Sequence, residues 1–274
     1  MAGTLYIVGT PIGNLSDFSP RALETLKTCD FIAAEDTRVT RKLLTCFDFK
    51  NELVPYHEHN RKEAGAQILQ RLLAGENCAL VTDAGMPAIS DPGEDLVNSC
   101  HESGVAVASV PGPSAVVTAL ALSGLHTARF TFEGFLSVAK KSRREHLASL
   151  VNETRTMVFY EAPHKLPATL KDMYEAFGDR RIALVKEITK IHETVERTTL
   201  QEAAEKYATV KPKGEYVLII EAKTVKEIDE EQSEDPVALA KSLMAQGLSA
   251  SEAAKQAARL TGTKKGDIYK ALIS

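Results

Sequence analysis

Three loops of small residues, each directly after an apolar run, hold the groups best placed for chemistry. GTPIGNLSD (residues 9–17) follows Leu5-Tyr6-Ile7-Val8, VTDAGMPAISDPG (81–93) ends the run that begins at Cys78, and VPGPSAVVTAL (110–120) ends the run from Val105. Open α/β sheets bind ligands beyond the carboxyl ends of their strands. Asp83 stands at such an end, and Ala84 and Gly85 bring almost no side chain, so a flat ligand can lie against the backbone there. Asp83 equally suits a plain turn. Pro113 suits a first helical turn, after which Ser114 and Ala115 offer free N–H groups to a carboxylate or a polar edge.

The first loop is a poor phosphate cradle. A dinucleotide fingerprint needs G-x-G-x-x-G with a helix entering at once. Here several more residues pass before a helix begins near Ser19-Pro20, Pro11 has no N–H to donate, and no G-x-x-x-x-G-K-[ST] is present. Three such loops imply a cofactor with adenosine and carboxylate parts and no need for a pyrophosphate. S-adenosylmethionine fits that description better than NAD.

The elements that must position these loops alternate. Strand-like runs at Leu5–Val8, Phe31–Ala34, Leu53–Tyr56, Cys78–Thr82 and Val105–Val110 are separated by helical stretches at Pro20–Thr28, Arg38–Cys46, Arg61–Ala74, Glu94–Ser103 and Ser114–Leu122. This predicts a mostly parallel sheet covered on both faces. After Ser123-Gly124 a second α/β series begins, with Arg129–Phe132, Arg143–Leu150, Met157–Tyr160, Leu166–Phe177, Ile182–Lys186 and Tyr216–Ile220, and with more antiparallel pairing. The expected organisation is an N-terminal α/β domain over 1–124, a second over 125–222, an acidic linker over 223–235 and a basic helical module over 236–274. In the module, Gly247 and Gly262 separate three short helices, with Ser249 and Thr263 as N-caps, in a helix-turn-helix-like unit.

The chain has 274 residues, 44% of them apolar, and a formal net charge of −4. That mildly acidic total gives no support for wholesale coating by nucleic acid but permits local basic patches. The four cysteines form no C-x-x-C pair and read as reduced core residues. His57-Glu58-His59, the one H-x-H, reads as strand surface, so no metal is expected. Without a run of roughly 20 apolar residues or an N-terminal targeting pattern, no membrane association and a cytoplasmic location are expected.

LYIVGTPIGNLSD, AAEDTRVTRKLL, LVTDAGMPAISDPG, VPGPSAVVTALALSGL, FEGFL, VFYEAPHKL, KEITKIHE and KGEYVLIIEA, in that order, resemble the ribosomal RNA small-subunit methyltransferase I family of the tetrapyrrole-methylase-like superfamily. The resemblance implies two α/β domains of the tetrapyrrole-methylase type with S-adenosylmethionine in the cleft between them, a homodimer, and 2′-O-methylation of a cytidine ribose in the decoding region of 16S rRNA. It places Pro11 and Ile12 in the first cofactor loop, Asp83, Ala84, Gly85 and Met86 in the second, and Ser114 and Ala115 in the third. Tyr160, Lys186 and Glu215 fall where the superfamily closes over the cofactor. The porphyrin-acting branch has G-x-G-P-G-D at the first loop; Pro11 and Asn14 here depart from it and argue against a tetrapyrrole substrate.

A ribose 2′-hydroxyl is a poor nucleophile, so a base, or a cation for the developing alkoxide, is needed. Glu35 and Asp36 end the second strand, and Lys186, Glu187 and His192 lie near another strand end. Of these, Glu35, Asp36 and Lys186 are the catalytic candidates, although Asp36 also suits an N-cap before Thr37-Arg38. RNA requires phosphate contacts. Arg38, Arg41 and Lys42 form one basic cluster, and Lys140, Lys141, Arg143 and Arg144 form another, which would otherwise be a solvated helix face. Besides a tetrapyrrole methylase, a metabolite-sensing regulator that binds DNA through its tail is the other class compatible with this pattern.

Overall fold

The computed structural model describes residues 1–224, 236–245 and 247–273, so the acidic linker lies, from residue 225 on, outside the described residues. The chain divides into two compact units. One comprises Met1–Ala148 and Thr156–Glu221; the other comprises Ser149–Arg155 and Ala222–Ser274.

In the larger unit, β1 (Thr4–Val8), β2 (Phe31–Ala34), β3 (Leu53–Pro55), β4 (Cys78–Val81) and β5 (Ala106–Val110) form an all-parallel sheet in the order β3-β2-β4-β1-β5. Every residue of β2 and β4 is buried, as expected where helices cover both faces. The covering helices include α1 (Pro20–Thr28), α2 (Thr37–Cys46), α3 (Arg61–Leu73) and α4 (Gly93–Glu102). Ser19 caps α1 by accepting from the Ala22 N–H, with Pro20 in the first turn. His57 and His59 follow β3 in a turn and not on a strand, which corrects the sequence reading. Cys29, Cys78 and Cys100 are buried free thiols, whereas Cys46 is exposed. Burial pushes the Cys29 and Cys100 thiols up to about 11.

The second sheet runs β6-β7-β10-β8-β9, from β6 (Phe130–Phe135), β7 (Thr156–Glu161), β8 (Arg181–Lys186), β9 (Thr194–Thr199) and β10 (Tyr216–Ile220). Only β6 and β7 pair in parallel; the remaining pairs are antiparallel. Strand β9 and the helix after it, Leu200–Thr209, were not anticipated. In β9, TVERTT has no apolar alternation because it is a largely exposed edge strand. The helix α5 (Ala115–Ser123) follows β5 of the first sheet but buries Val116, Ala119 and Leu120 against Val158, Val185, Val217 and Ile219 of the second. It is apolar on nearly all sides, and Val117 and Leu122 remain exposed on the face turned from that core.

Among the described residues of the smaller unit are three helices, Pro236–Ala245, Ala250–Thr261 and Lys265–Ile273. They bury Ala240, Ala253, Ala254, Ala257 and Ile268. Ser249 forms a reciprocal capping box with Glu252. The third helix starts at Lys265, so Thr263 does not cap it. Among the described residues, no helix is long and apolar enough to cross a membrane, and no group of three or more His, Cys, Asp or Glu could hold a metal ion.

One basic cluster read from the sequence is split by packing. Lys140 and Lys141 are exposed on α6 (Lys140–Ser149), but Arg143 is buried. Its guanidinium donates to Asp172 Oδ2 at 2.6 and 2.8 Å and reaches the carbonyls of Ser137 and Val138. Arg144 donates to Asp172 Oδ1 at 2.9 Å and to Glu175 at 2.5 Å. Arg143 is therefore a buried structural partner of an acid on α7 (Leu166–Phe177) and cannot reach a phosphate, whereas Arg144, half exposed, shares that acid and Glu175. Burial alone would raise the Asp172 carboxyl, but the two guanidiniums outweigh it and hold the pKa below the usual range.

Breaking this pair should be costly. Arg143→Gln is expected to lower the unfolding free energy by about 3 kcal/mol, because a buried carboxylate loses its main partner. Arg144→Gln should cost less than about 1 kcal/mol, because that side chain is half exposed. A depressed carboxyl stabilises above its unfolded pKa of about 3.9 and loses that contribution as pH falls toward the folded value. The gap between wild type and Arg143→Gln should accordingly narrow in acid. Urea unfolding checks this, and equal losses for the two variants at neutral pH would contradict it.

Candidate active site

A cavity of about 500 Å³ opens at the carboxyl ends of β1, β2, β4 and β5, with the second sheet forming its other wall. Its volume suits a cofactor-sized ligand. The first wall depends on close backbone approach. A Cβ on Gly9 would lie 2.6 Å from Gly112 Cα and 2.7 Å from Met86 Sδ, so the first and third loops can touch only as glycines. The second loop is pinned to the first by reciprocal hydrogen bonds, Thr10 N–H to the Gly85 carbonyl at 2.9 Å and Gly85 N–H to the Thr10 carbonyl at 3.1 Å.

Two carboxylates stand together on this wall. Glu35, just after β2, accepts from the Thr82 hydroxyl at 2.5 Å. Asp83 Oδ1 accepts from the Asp36 N–H at 3.1 Å. Partial burial and the nearby Glu35 charge raise the Asp83 pKa above the usual aspartate range. Asp91 also lines the cavity, but its oxygens accept from the N–H groups of Ala88, Ile89 and Gly93 and hold the loop shape. At the start of α5, Ser114 makes no side-chain cap, which leaves first-turn N–H groups available beside the cavity.

The second wall is apolar with one ionic clamp. Tyr160, Ile188 and Val217 face the cavity from the core under α5. Burial raises the Tyr160 phenol. Lys190 Nζ donates to Glu187 at 3.0 Å and to Glu215 at 2.8 Å. Burial works against the Lys190 charge, but the two carboxylates outweigh it and its pKa rises. The segment that delivers Lys190 is bent sharply, with Glu187 at φ 53° and Thr189 at φ 64°, a left-handed backbone that costs energy in non-glycine residues.

Phe135 forms the rim. Residues 132 and 135 would face opposite sides of a regular strand, but a bulge between Phe132 and Gly134 shifts the register. Both rings therefore meet Tyr160, at centroid distances of 4.9 and 5.3 Å, and Phe135 stays 57% exposed. Lys165 Nζ lies 5.5 Å from the Phe135 centroid.

The cavity gathers most of the residues expected from sequence. Ile12, Asp83, Ala84, Gly85, Met86, Ser114, Ala115, Tyr160 and Glu215 line it, as does Glu35. Pro11 lines a neighbouring recess of about 250 Å³ beside Lys42 and Cys46. The Asp36 carboxylate is used elsewhere: it caps α2 through the Arg38 N–H at 2.8 Å and pairs with the Arg38 guanidinium. Those bonds depress its pKa strongly, which is unfavourable for a base. Lys186 does not line the cavity; it faces a separate recess with Thr194 and Tyr207. Arg38, Arg41 and Lys42 are exposed on α2. Sequence reasoning missed Lys190, Phe135, Glu161 and Asp91, although all but Asp91 sit in or beside the quoted stretches KEITKIHE, FEGFL and VFYEAPHKL, and Asp91 sits inside VTDAGMPAISDPG.

Residues 4–204 match the family of Tetrapyrrole (Corrin/Porphyrin) Methylases. Among curated proteins, the ribosomal RNA small subunit methyltransferase I of Synechocystis sp. is 46% identical over 97% of this chain and 96% of its own. The protein of that name from Halalkalibacterium halodurans is 47% identical over 97% and 93%, and that from Bacillus subtilis is 42% identical over 98% and 94%. Among solved structures, the methyltransferase CobJ superposes with a TM-score of 0.60 at 16% identity, covering 81% of this chain and 95% of that one. Uroporphyrin-III C-methyl transferase from Thermus thermophilus, complexed with S-adenyl homocysteine, gives 0.56 at 20% identity, covering 80% and 97%. At those identities the likeness is one of fold. The chain belongs to the Tetrapyrrole (Corrin/Porphyrin) Methylases and, within them, to the ribosomal RNA small subunit methyltransferase I proteins, with which it shares sequence over nearly its whole length.

Proposed function

We propose that this methyltransferase moves the methyl group of S-adenosylmethionine to the 2′-hydroxyl of a cytidine ribose in the decoding region of 16S rRNA. The observation that carries this reading is the 46% identity, over 97% of the chain, to a protein named for methylation of small-subunit ribosomal RNA. The cavity supports it chemically. It joins a backbone ledge of small residues, free N–H groups at the start of α5 and an apolar wall, which together suit an adenosine and an amino-acid carboxylate. Pro11 and Asn14, in place of the porphyrin branch's glycine and aspartate, favour RNA over a tetrapyrrole.

Ile12, Asp83, Ala84, Gly85, Met86, Ser114, Ala115, Tyr160 and Glu215 are the residues proposed to hold the cofactor, with Pro11 supporting the first loop from behind. When bound, S-adenosylmethionine supplies a methyl group activated by its sulfonium. Transfer then depends on alignment and on removal of the hydroxyl proton. Glu35 is the proposed base: Thr82 holds one carboxylate oxygen and leaves the other for the proton. Lys190, held by Glu187 and Glu215, is the cation that lines the cavity among the described residues, a role the sequence reading gave to Lys186. Phe135, exposed at the rim, offers its ring to the target base.

The same reading takes residues 1–124 and 125–222 as separate α/β domains and 223–235 as a linker. It takes the basic module, 236–274, as an RNA contact, and Arg38, Arg41, Lys42, Lys140 and Lys141 as phosphate contacts. A homodimer in the cytoplasm completes it.

Small ribosomal subunits lacking the modification, incubated with the protein and labelled S-adenosylmethionine, should gain one 2′-O-methylcytidine in 16S rRNA. Label on a base, or on uroporphyrinogen in a parallel reaction, would point instead to a different enzyme. Glu35→Gln should lower kcat by at least about 100-fold, the range of a lost general base, while calorimetry shows S-adenosylhomocysteine still binding. Unaltered turnover would remove Glu35 from the mechanism. Phe135→Ala should raise KM for the RNA by about tenfold, on the order of one lost stacking contact, and Phe135→Tyr should restore it. A KM indifferent to both changes would leave the ring without this role.

A further inference from the structure

On the face of the second sheet away from the catalytic cavity lies a second recess, of about 560 Å³. Its walls come from the end of β8, the starts of β9 and β10, the helix Leu200–Thr209 and the loop before β10. Four lysines line it, Lys186, Lys206, Lys211 and Lys213, against a single carboxylate, Glu196. Strand register places Lys186 directly between Tyr216 of β10 and Thr194 of β9, so these side chains share one face.

The carboxylate is already satisfied. Glu196 accepts from Lys206 Nζ at 2.7 Å and from the Tyr207 hydroxyl at 3.0 Å. Lys186, Lys211 and Lys213 have no carboxylate within ion-pair distance among the described residues. Three unneutralised ammonium groups around one recess repel one another and favour an anionic occupant. Two tyrosines, Tyr207 and Tyr216, pack edge to face at 6.2 Å in the same wall. Both rings are buried, so they wall the recess, and the lysines are the groups it offers to an anionic chain.

Position gives the recess its partner. Tyr216 lines both this recess and the catalytic cavity, and Lys213 is two residues from Glu215, which closes the Lys190 clamp. The two openings lie back to back at one end of one sheet. We infer that this recess binds the phosphate backbone of the RNA strand that flanks the methylated nucleotide, with Lys186, Lys211 and Lys213 as the contacting groups. The inference rests on an RNA substrate. It gives Lys186 a substrate-holding role in place of a catalytic one, and it supplies basic contacts that the buried Arg143 cannot.

Binding of a fluorescein-labelled decoding-region RNA, followed by anisotropy over a series of potassium chloride concentrations, tests this. Each lost phosphate contact flattens the plot of log affinity against log salt by about 0.7 for single-stranded RNA. The variant Lys186→Gln/Lys211→Gln/Lys213→Gln should therefore lose about 2 from the slope, and Lys211→Gln/Lys213→Gln, which alters only exposed side chains, about 1.4. S-adenosylhomocysteine affinity should not change. Folded variants with the wild-type slope would overturn the inference. So would an unaltered slope accompanied by a changed sedimentation coefficient, which would mark a contact between copies, or by lost binding of free pyrophosphate, which would mark a small-anion site. If the wild type methylates small subunits but the slopes coincide, the inference fails alone. If the slope falls but no RNA is methylated, the recess stands and the proposed reaction fails.

Discussion

The burial of α5 beneath the second sheet is the contact on which the cavity depends. The helix leaves the first sheet directly after β5, yet Val116 and Leu120 spend their apolar surface on Val158, Val185, Val217 and Ile219. Fully burying side chains of that size contributes roughly 1.5–3 kcal/mol each. Ala119, wholly buried, allows the close approach. Since the N-terminus of this helix is one edge of the cavity, the packing that fastens it also sets the distance between the two walls. Ile12, Ala115 and Tyr160 pack against the same core and line the cavity, so core and site share residues.

Within that frame, charge is sorted by what surrounds it. Asp172 and Arg143 are both removed from water and persist because each satisfies the other. Asp36 is half-buried and bound to Arg38 at a helix start, which suppresses its basicity. Asp83 is partly buried, makes no ion pair among the described residues and lies near the Glu35 charge; burial first and that charge second push its carboxyl up. Acids of the same chemistry are thus pushed in opposite directions, Asp172 and Asp36 down and Asp83 up. Lys190 is held between two carboxylates on the cavity side, whereas Lys186, four residues earlier, faces the opposite side of the sheet without an ion pair among the described residues.

Local features were legible without the structure. Pro20–Thr28, Leu166–Phe177, Phe31–Ala34 and Tyr216–Ile220 stand where their apolar periodicity and flanking caps place them. The small-residue strand ends also identified most of the cavity, because loops that must approach a ligand or each other as backbone declare themselves by glycine and alanine. Strand β9 did not declare itself: an exposed edge buries too little to leave a period-2 pattern.

The sequence by itself determined the family, the order of the elements and the loops that can face a ligand, since these follow from local spacing and from motifs kept in order. Tertiary structure alone decided the partners of the charged groups. Nothing in KKSRR distinguishes Lys140 from Arg143, yet one is solvated and the other is locked onto an acid from a helix 29 residues later in the chain. Nothing in VFYEAPHKL or KEITKIHE states which side of the sheet Tyr160 or Lys186 faces, because parity is set by register with neighbouring strands and by where each strand ends. Burial and pairing depend on contacts distant in sequence, and a linear pattern does not contain them.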